Sequence, residues 1–126
     1  MTRRNSGRTW EAHCAHECIR LHKEGVATMT RMATHHHAGI PSKDPKVDFI
    51  GALHPTGRLV AFDCKSGTGV LTKQQRTFLT HLTRAGALAF VYHSDGYTQL
   101  VLENGDLGEK IKVTSWVEIT RERVDG

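Results

Sequence analysis

The chain has 126 residues, 38% of them hydrophobic and 24% charged, which is the usual size and make-up of one soluble globular domain. No stretch approaches the roughly 18 consecutive apolar residues of a membrane helix, so a helical membrane protein is excluded. The formal net charge of +4, with nine His besides, suits a polyanionic partner whose phosphates release condensed counterions on binding; charge alone leaves a basic protein without such a partner equally open.

The opening segment MTRRNSGRTW is basic with no apolar run behind it, which is not the pattern of a secretory signal, so a cytoplasmic location in a bacterial, archaeal or phage-infected cell is expected. The odd count of cysteines, Cys14, Cys18 and Cys64, argues against a disulfide framework and for reduced thiols. There is no internal repeat and nothing suggests a second domain; residues 1–126 are read as a single one.

In chain order, Thr9 to Glu24 reads as a helix, because Trp10, Cys14, Cys18 and Leu21 recur on one face and Gly25 stands at a C-terminal cap position. Val26 to Thr34 is a candidate strand. A loop over His35 to Lys46, with three consecutive His, Pro41 and Pro45, precedes a strand at Val47 to Leu53. The turn His54-Pro55-Thr56-Gly57 and a strand at Arg58 to Lys65 complete a hairpin. Thr72 can cap a helix running to about Ala85, with Phe78, Leu79 and Leu82 as its apolar face and Gly86 at its end. Ala87 to Tyr92 is apolar throughout, as in a strand buried on both faces. Tyr97 to Leu102 is a further strand, and Lys110 to Glu122 is ambiguous. The order predicts an α/β fold with a central mixed sheet flanked by helices.

The hairpin contains a local conflict. Along its second strand Leu59, Ala61, Asp63 and Lys65 share one face, so an apolar strand ends by setting a carboxylate beside an ammonium. Asp48 interrupts the apolar run of the first strand. If the strands pair, Asp48 and Asp63 reach one site, where two carboxylates repel and each loses hydration. A hard divalent cation relieves that; Mg²⁺, with Mn²⁺ as a substitute, favours such oxygen ligands, here Asp48, Asp63 and the Cys64 backbone carbonyl. It would stabilise charge on a phosphodiester and activate its attacking water, with Lys65 orienting that water or neutralising developing charge. The bland alternative is a structural Asp63–Lys65 ion pair at a strand end, with Asp48 a turn residue.

An Asp, a hairpin, then Asp63-Cys64-Lys65 resembles the PD-(D/E)XK nuclease superfamily, although Val47 replaces the usual Pro. A wider pattern resembles one branch, the Holliday junction resolvases of the Hjc and RecU type. Gly7 and Glu11 stand in a first helix, Gln74-Gln75 opens a helix after the Asp-x-Lys strand, and Gly86 precedes an apolar strand, so the likeness covers about Ser6 to Tyr92. It implies a restriction-endonuclease-like core of αβββαβ order and structure-selective, metal-dependent hydrolysis of four-way junction DNA by a homodimer. It also implies that Glu11 joins the metal site and that Gln75, or Gln74 one residue away, contacts the scissile phosphate or its water. The short connection between second and third elements leaves no room for a long stalk of the RecU kind and points to the smaller, Hjc-like architecture. Other nucleases of the superfamily, VRR-type or restriction-like, and a non-catalytic DNA-binding module of the same fold are the rival readings.

Arg3, Arg4, Arg8, Lys43, Lys46, Lys73 and Arg76 are candidate DNA-backbone contacts; a disordered basic terminus is the plain reading of the first three. Cys14 and Cys18 are spaced to share a zinc ion, but they fall on the apolar stripe with Trp10 and Leu21, where free Cys serves as a small core residue. The His35–His37 run is either a DNA-facing loop or without a role.

Overall fold

Alternate residues of a strand project to opposite sides of a sheet, and here the apolar residues on each side select the helix that covers it. The structure is a computed structural model that describes residues 6–32 and 47–112. In order these form α1 (Ser6–Lys23), β1 (Ala27–Arg31), β2 (Phe49–Leu53), β3 (Leu59–Lys65), α2 (Lys73–Arg84), β4 (Leu88–His93), β5 (Tyr97–Leu100) and β6 (Ile111–Lys112). The six strands lie in one sheet in sequence order. Only β3 and β4 are parallel, because α2 crosses over between them; the other neighbours are antiparallel.

On one side Val60, Phe62, Leu88, Phe90 and Tyr92 pack with Phe49 and Leu53 against Cys14, Cys18 and Leu21 of α1. Phe49, Phe62 and Phe90 stack across three strands with ring centroids 4.9 and 5.3 Å apart. On the other side the small residues Ala61 and Ala89 form a floor for Leu79, Phe78 and Leu82 of α2, closed by Val47 and Val101. Cys14 and Cys18 are therefore core residues, and burial pushes the Cys18 thiol up to about 12. No helix among the described residues is long and apolar enough to cross a membrane.

The α/β order agrees with the sequence reading, and the elements differ mainly at their ends. α1 begins at Ser6 rather than Thr9, because its first turn carries no apolar periodicity that would mark it. β2 begins at Phe49 rather than Val47, for a reason visible in the hydrogen bonds. Leu53 N donates to Arg58 O at 2.8 Å, and pairs bonded in this way recur every second residue toward Phe49 and Phe62. The next such step would take the Cys64 N–H to the Val47 carbonyl, but the Asp48 carboxylate accepts it instead, at 2.7 Å. The strand ends where a side chain replaces the ladder. Thr72 caps α2 as expected, and Gly86 follows that helix at a φ of 99°, a left-handed conformation that suits a residue without a Cβ. Arg3, Arg4, Lys43, Lys46, the His35–His37 run, the connection over 33–46 and the ambiguous tail beyond Lys112 lie outside the described residues.

Phe62 is the middle ring of the three-strand stack and is 1% exposed. Phe62→Ala is expected to lower the unfolding free energy by about 3–5 kcal/mol, read from urea denaturation followed by far-UV circular dichroism.

Candidate active site

The sheet register brings the two acidic residues of the hairpin together. Phe49 pairs with Phe62 and both face α1, so Asp48 and Asp63, one step further along each strand, face the α2 side. Asp63 is 1% exposed. Its buried Oδ2 lies 2.9 Å from Lys65 Nζ in an ion pair. Lys65, two residues on, projects to the same face and is itself largely buried, with a side chain 18% exposed.

Gln75 links this strand to α2. Its Oε1 accepts from the Thr72 backbone N–H at 3.0 Å, while its own backbone N–H donates to Thr72 Oγ1 at 3.1 Å, forming a capping box. The same Oε1 accepts from Lys65 Nζ at 3.2 Å, and Nε2 donates to Asp63 Oδ1 at 3.4 Å. Gln74 is exposed and lies outside this network, so Gln75 is the glutamine turned toward the carboxylates. The residue that starts the helix thus also orients Asp63 and Lys65.

Asp48 is partly buried, and burial first, then the charge of Asp63, raises its carboxyl to about 6, against the pull of the Cys64 N–H and Lys65. Two crowded carboxylates that share one lysine leave an excess of negative charge on oxygen atoms, which is the donor set that a hard divalent cation fits. Cys64 lies between the acid and the lysine with its thiol toward α1, where burial and contact with Cys14 raise its pKa, so its backbone rather than its sulfur faces this chemistry.

Glu11 departs from the expectation. It stands on α1, which covers the opposite side of the sheet, and its Oε1 accepts from Arg31 Nε at 3.0 Å and lies 2.8 Å from an Arg31 terminal nitrogen. Among the described residues its side-chain partner is Arg31, with no hydrogen bond or ion pair to Asp48 or Asp63. The sequence pattern showed its helix but not the partner across it. Arg31, absent from the sequence-based set, ends β1 close enough for the charge of Asp48 to raise its pKa, after the larger effect of Glu11. Its signal was weak: one basic residue at the end of a strand of mixed exposure. Arg8 falls in the first turn of α1, and Lys73 and Arg76 lie in the first turn of α2 beside Gln75.

No family model and no curated protein matches the chain. Among solved structures it is similar to Archaeoglobus fulgidus Hjc, a Holliday junction resolvase from an archaeal hyperthermophile, with a TM-score of 0.51 and 20% identity over 90% of this chain and 99% of that one. At that identity the likeness shows the fold, a restriction-endonuclease-like α/β core.

Asp48 holds its proton more tightly folded than unfolded, so without a cation it destabilises the fold as pH rises from about 4 through 6, and the penalty is constant above that. Asp48→Asn keeps an acceptor for the Cys64 N–H and removes the repulsion. In chelator the variant is expected to match wild type at pH 4 and to exceed it by roughly 1–2 kcal/mol at pH 7.5, a figure discounted for the partial exposure of the group. Urea denaturation across this pH range measures the difference; a variant less stable than wild type at pH 7.5 would mean that attraction, not repulsion, dominates the pair.

Proposed function

We propose that this chain is a metal-dependent endodeoxyribonuclease that hydrolyses phosphodiesters in branched DNA, with four-way junctions as its substrate class. The observation that carries this reading is the Asp48–Asp63 pair crowded at the end of a hairpin beside Lys65 and Gln75. The choice of junction DNA rests on the fold neighbour, itself a Holliday junction resolvase.

In this reading Asp48, Asp63 and the Cys64 backbone carbonyl hold Mg²⁺, for which Mn²⁺ substitutes. Bound there, the ion supplies Lewis acidity to the scissile phosphate and its attacking water. The residues of the chain do the rest. Lys65, fixed between Asp63 and Gln75, presents its ammonium to charge developing on the phosphate oxygens. Gln75, locked by its capping box, keeps that lysine and Asp63 in one geometry and has an amide within reach of a nucleophilic water. Glu11 pairs with Arg31 near Asp48, so the Arg31 guanidinium is the group offered to a substrate phosphate, and Glu11 joins the ion only if it releases Arg31. Arg8, Lys73 and Arg76 are the candidate contacts to the DNA backbone. A symmetric homodimer, working in the cytoplasm of its host, would set two such sites against the two-fold symmetry of a junction.

The test is cleavage of a synthetic four-way junction, a flap and a linear duplex, with Mg²⁺ and with chelator. Wild type is expected to cut the junction preferentially and only with the metal. Asp63→Ala and Lys65→Ala should each lose roughly 10²–10³-fold or more in single-turnover rate while still binding the junction. Equal cutting of all three DNAs would make the chain a nuclease of another specificity. Binding without metal-dependent cutting by wild type would make it a non-catalytic DNA-binding module, and wild-type rates in both variants would remove these residues from the site.

A further inference from the structure

The outer flank of α2 carries a feature that the hydrolytic site does not use. Lys73, Arg76, Thr77, His81 and Arg84 line a cavity of about 350 Å³ between the helix and the turn that contains Asn104, Gly105 and Asp106. The walls are held in place by the chain itself. Arg76 Nε donates to Gly105 O, Arg84 Nε donates to Glu103 O at 2.7 Å, and Thr83 Oγ1 donates to Val101 O at 2.7 Å. Each guanidinium is therefore anchored at its Nε, which sets the direction of its terminal nitrogens and lowers the entropy lost when they bind.

The charges do not balance. Arg76 lies 3.5 Å from the one carboxylate in the groove, Asp106, which also accepts from Asn104 Nδ2 at 3.0 Å. Lys73 and Arg84 have no carboxylate partner among the described residues. They bracket the groove from end to end, 11 residues apart on the helix, which is about 16 Å. Lys73 shares its turn with Gln75, whose side chain reaches Asp63 and Lys65, so the groove opens beside the candidate active site and leads away from it. An elongated concave surface with two unmatched cations, a third partly matched and threonine hydroxyls fits successive phosphates of a nucleic-acid strand better than a single small anion.

We propose that this groove binds the sugar–phosphate backbone of a duplex DNA arm leaving the active site, with Lys73 and Arg84 as its two principal phosphate contacts and Arg76 between them. The assignment deepens the nuclease reading and rests on it for the choice of DNA. The contacts are to phosphates, so they supply affinity and orientation without sequence preference.

Binding in chelator, where no cleavage occurs, separates this groove from catalysis. Fluorescence anisotropy of a labelled four-way junction and of a linear duplex across a NaCl series gives the slope of log affinity against log salt. The double variant Lys73→Gln/Arg84→Gln is expected to reduce the magnitude of that slope by about 2 on both DNAs, and Lys73→Gln alone, which disturbs no internal bond, by about 1. Lys23→Gln, on the helix covering the other side of the sheet, should leave it unchanged. A slope unaltered in the double variant, or an equal change from Lys23→Gln, overturns the proposal. So does an altered association state in sedimentation velocity with the slope intact, which would make the groove a contact between copies of the chain, and so does a wild type that binds neither DNA. A reduced slope in a protein that never cuts DNA with Mg²⁺ would keep the groove and remove the nuclease reading.

Discussion

Two carboxylates forced together at the end of a hairpin are the constraint around which the rest of this molecule is arranged. Antiparallel register allows Asp48 no other neighbour, because once Phe49 is set against Phe62 the preceding residue must face Asp63. The arrangement opposes folding in the bare protein, since both groups lose water and each repels the other. It persists because stronger forces fix the strands from behind. The stacked Phe49, Phe62 and Phe90 rings hold three strands in one register on the α1 side, because a slip of one residue would turn each ring away from that core.

The α2 side supplies positioning rather than bulk. Ala61 and Ala89 are small enough to let the helix settle close to the sheet, and its first turn then sits at the end of β3. Gln75 joins the two levels of organisation. As the third residue of the helix it closes the capping box with Thr72; as a neighbour of β3 it takes one hydrogen bond from Lys65 and gives one to Asp63. Helix initiation and site geometry are thereby one event, so a substitution at Gln75 would act on both. This is the economy expected of a site built on rigid elements and braced by a surrounding shell of hydrogen bonds.

Much of this was legible in the sequence because it depends on local periodicity and on types of residue in the wrong place. Alternation put Asp63 and Lys65 on one face, the apolar run Ala87 to Tyr92 marked the central strand, and Thr72 marked the start of α2. Cys14 and Cys18 fell on the apolar stripe that proved to be core. What could not be read depended on partners distant in the chain. One residue of register decides between Gln74 and Gln75, and only the packing of α2 against β3 shows that Gln75 turns inward. Glu11 looked like a ligand because its helix was in the right order, yet its carboxylate meets Arg31 across the α1 side, a pairing between residues 20 apart that no spacing rule announces. The groove beside α2 was half visible: Lys73 and Arg76 stood out near the helix start, whereas Arg84 acquires meaning only when the turn at Glu103 to Asp106 folds against it.

The repulsive pair is either the seat of a cation or an unexplained strain, and one measurement distinguishes them. Anomalous diffraction from crystals soaked in Mn²⁺ would locate the ion directly. The account predicts a single strong peak between the Asp48 and Asp63 carboxylates, within about 2.0–2.3 Å of an oxygen from each, and loss of that peak in Asp63→Asn. Clean density for the two carboxyl groups still in mutual contact, with no anomalous peak beside them at saturating Mn²⁺, would contradict it.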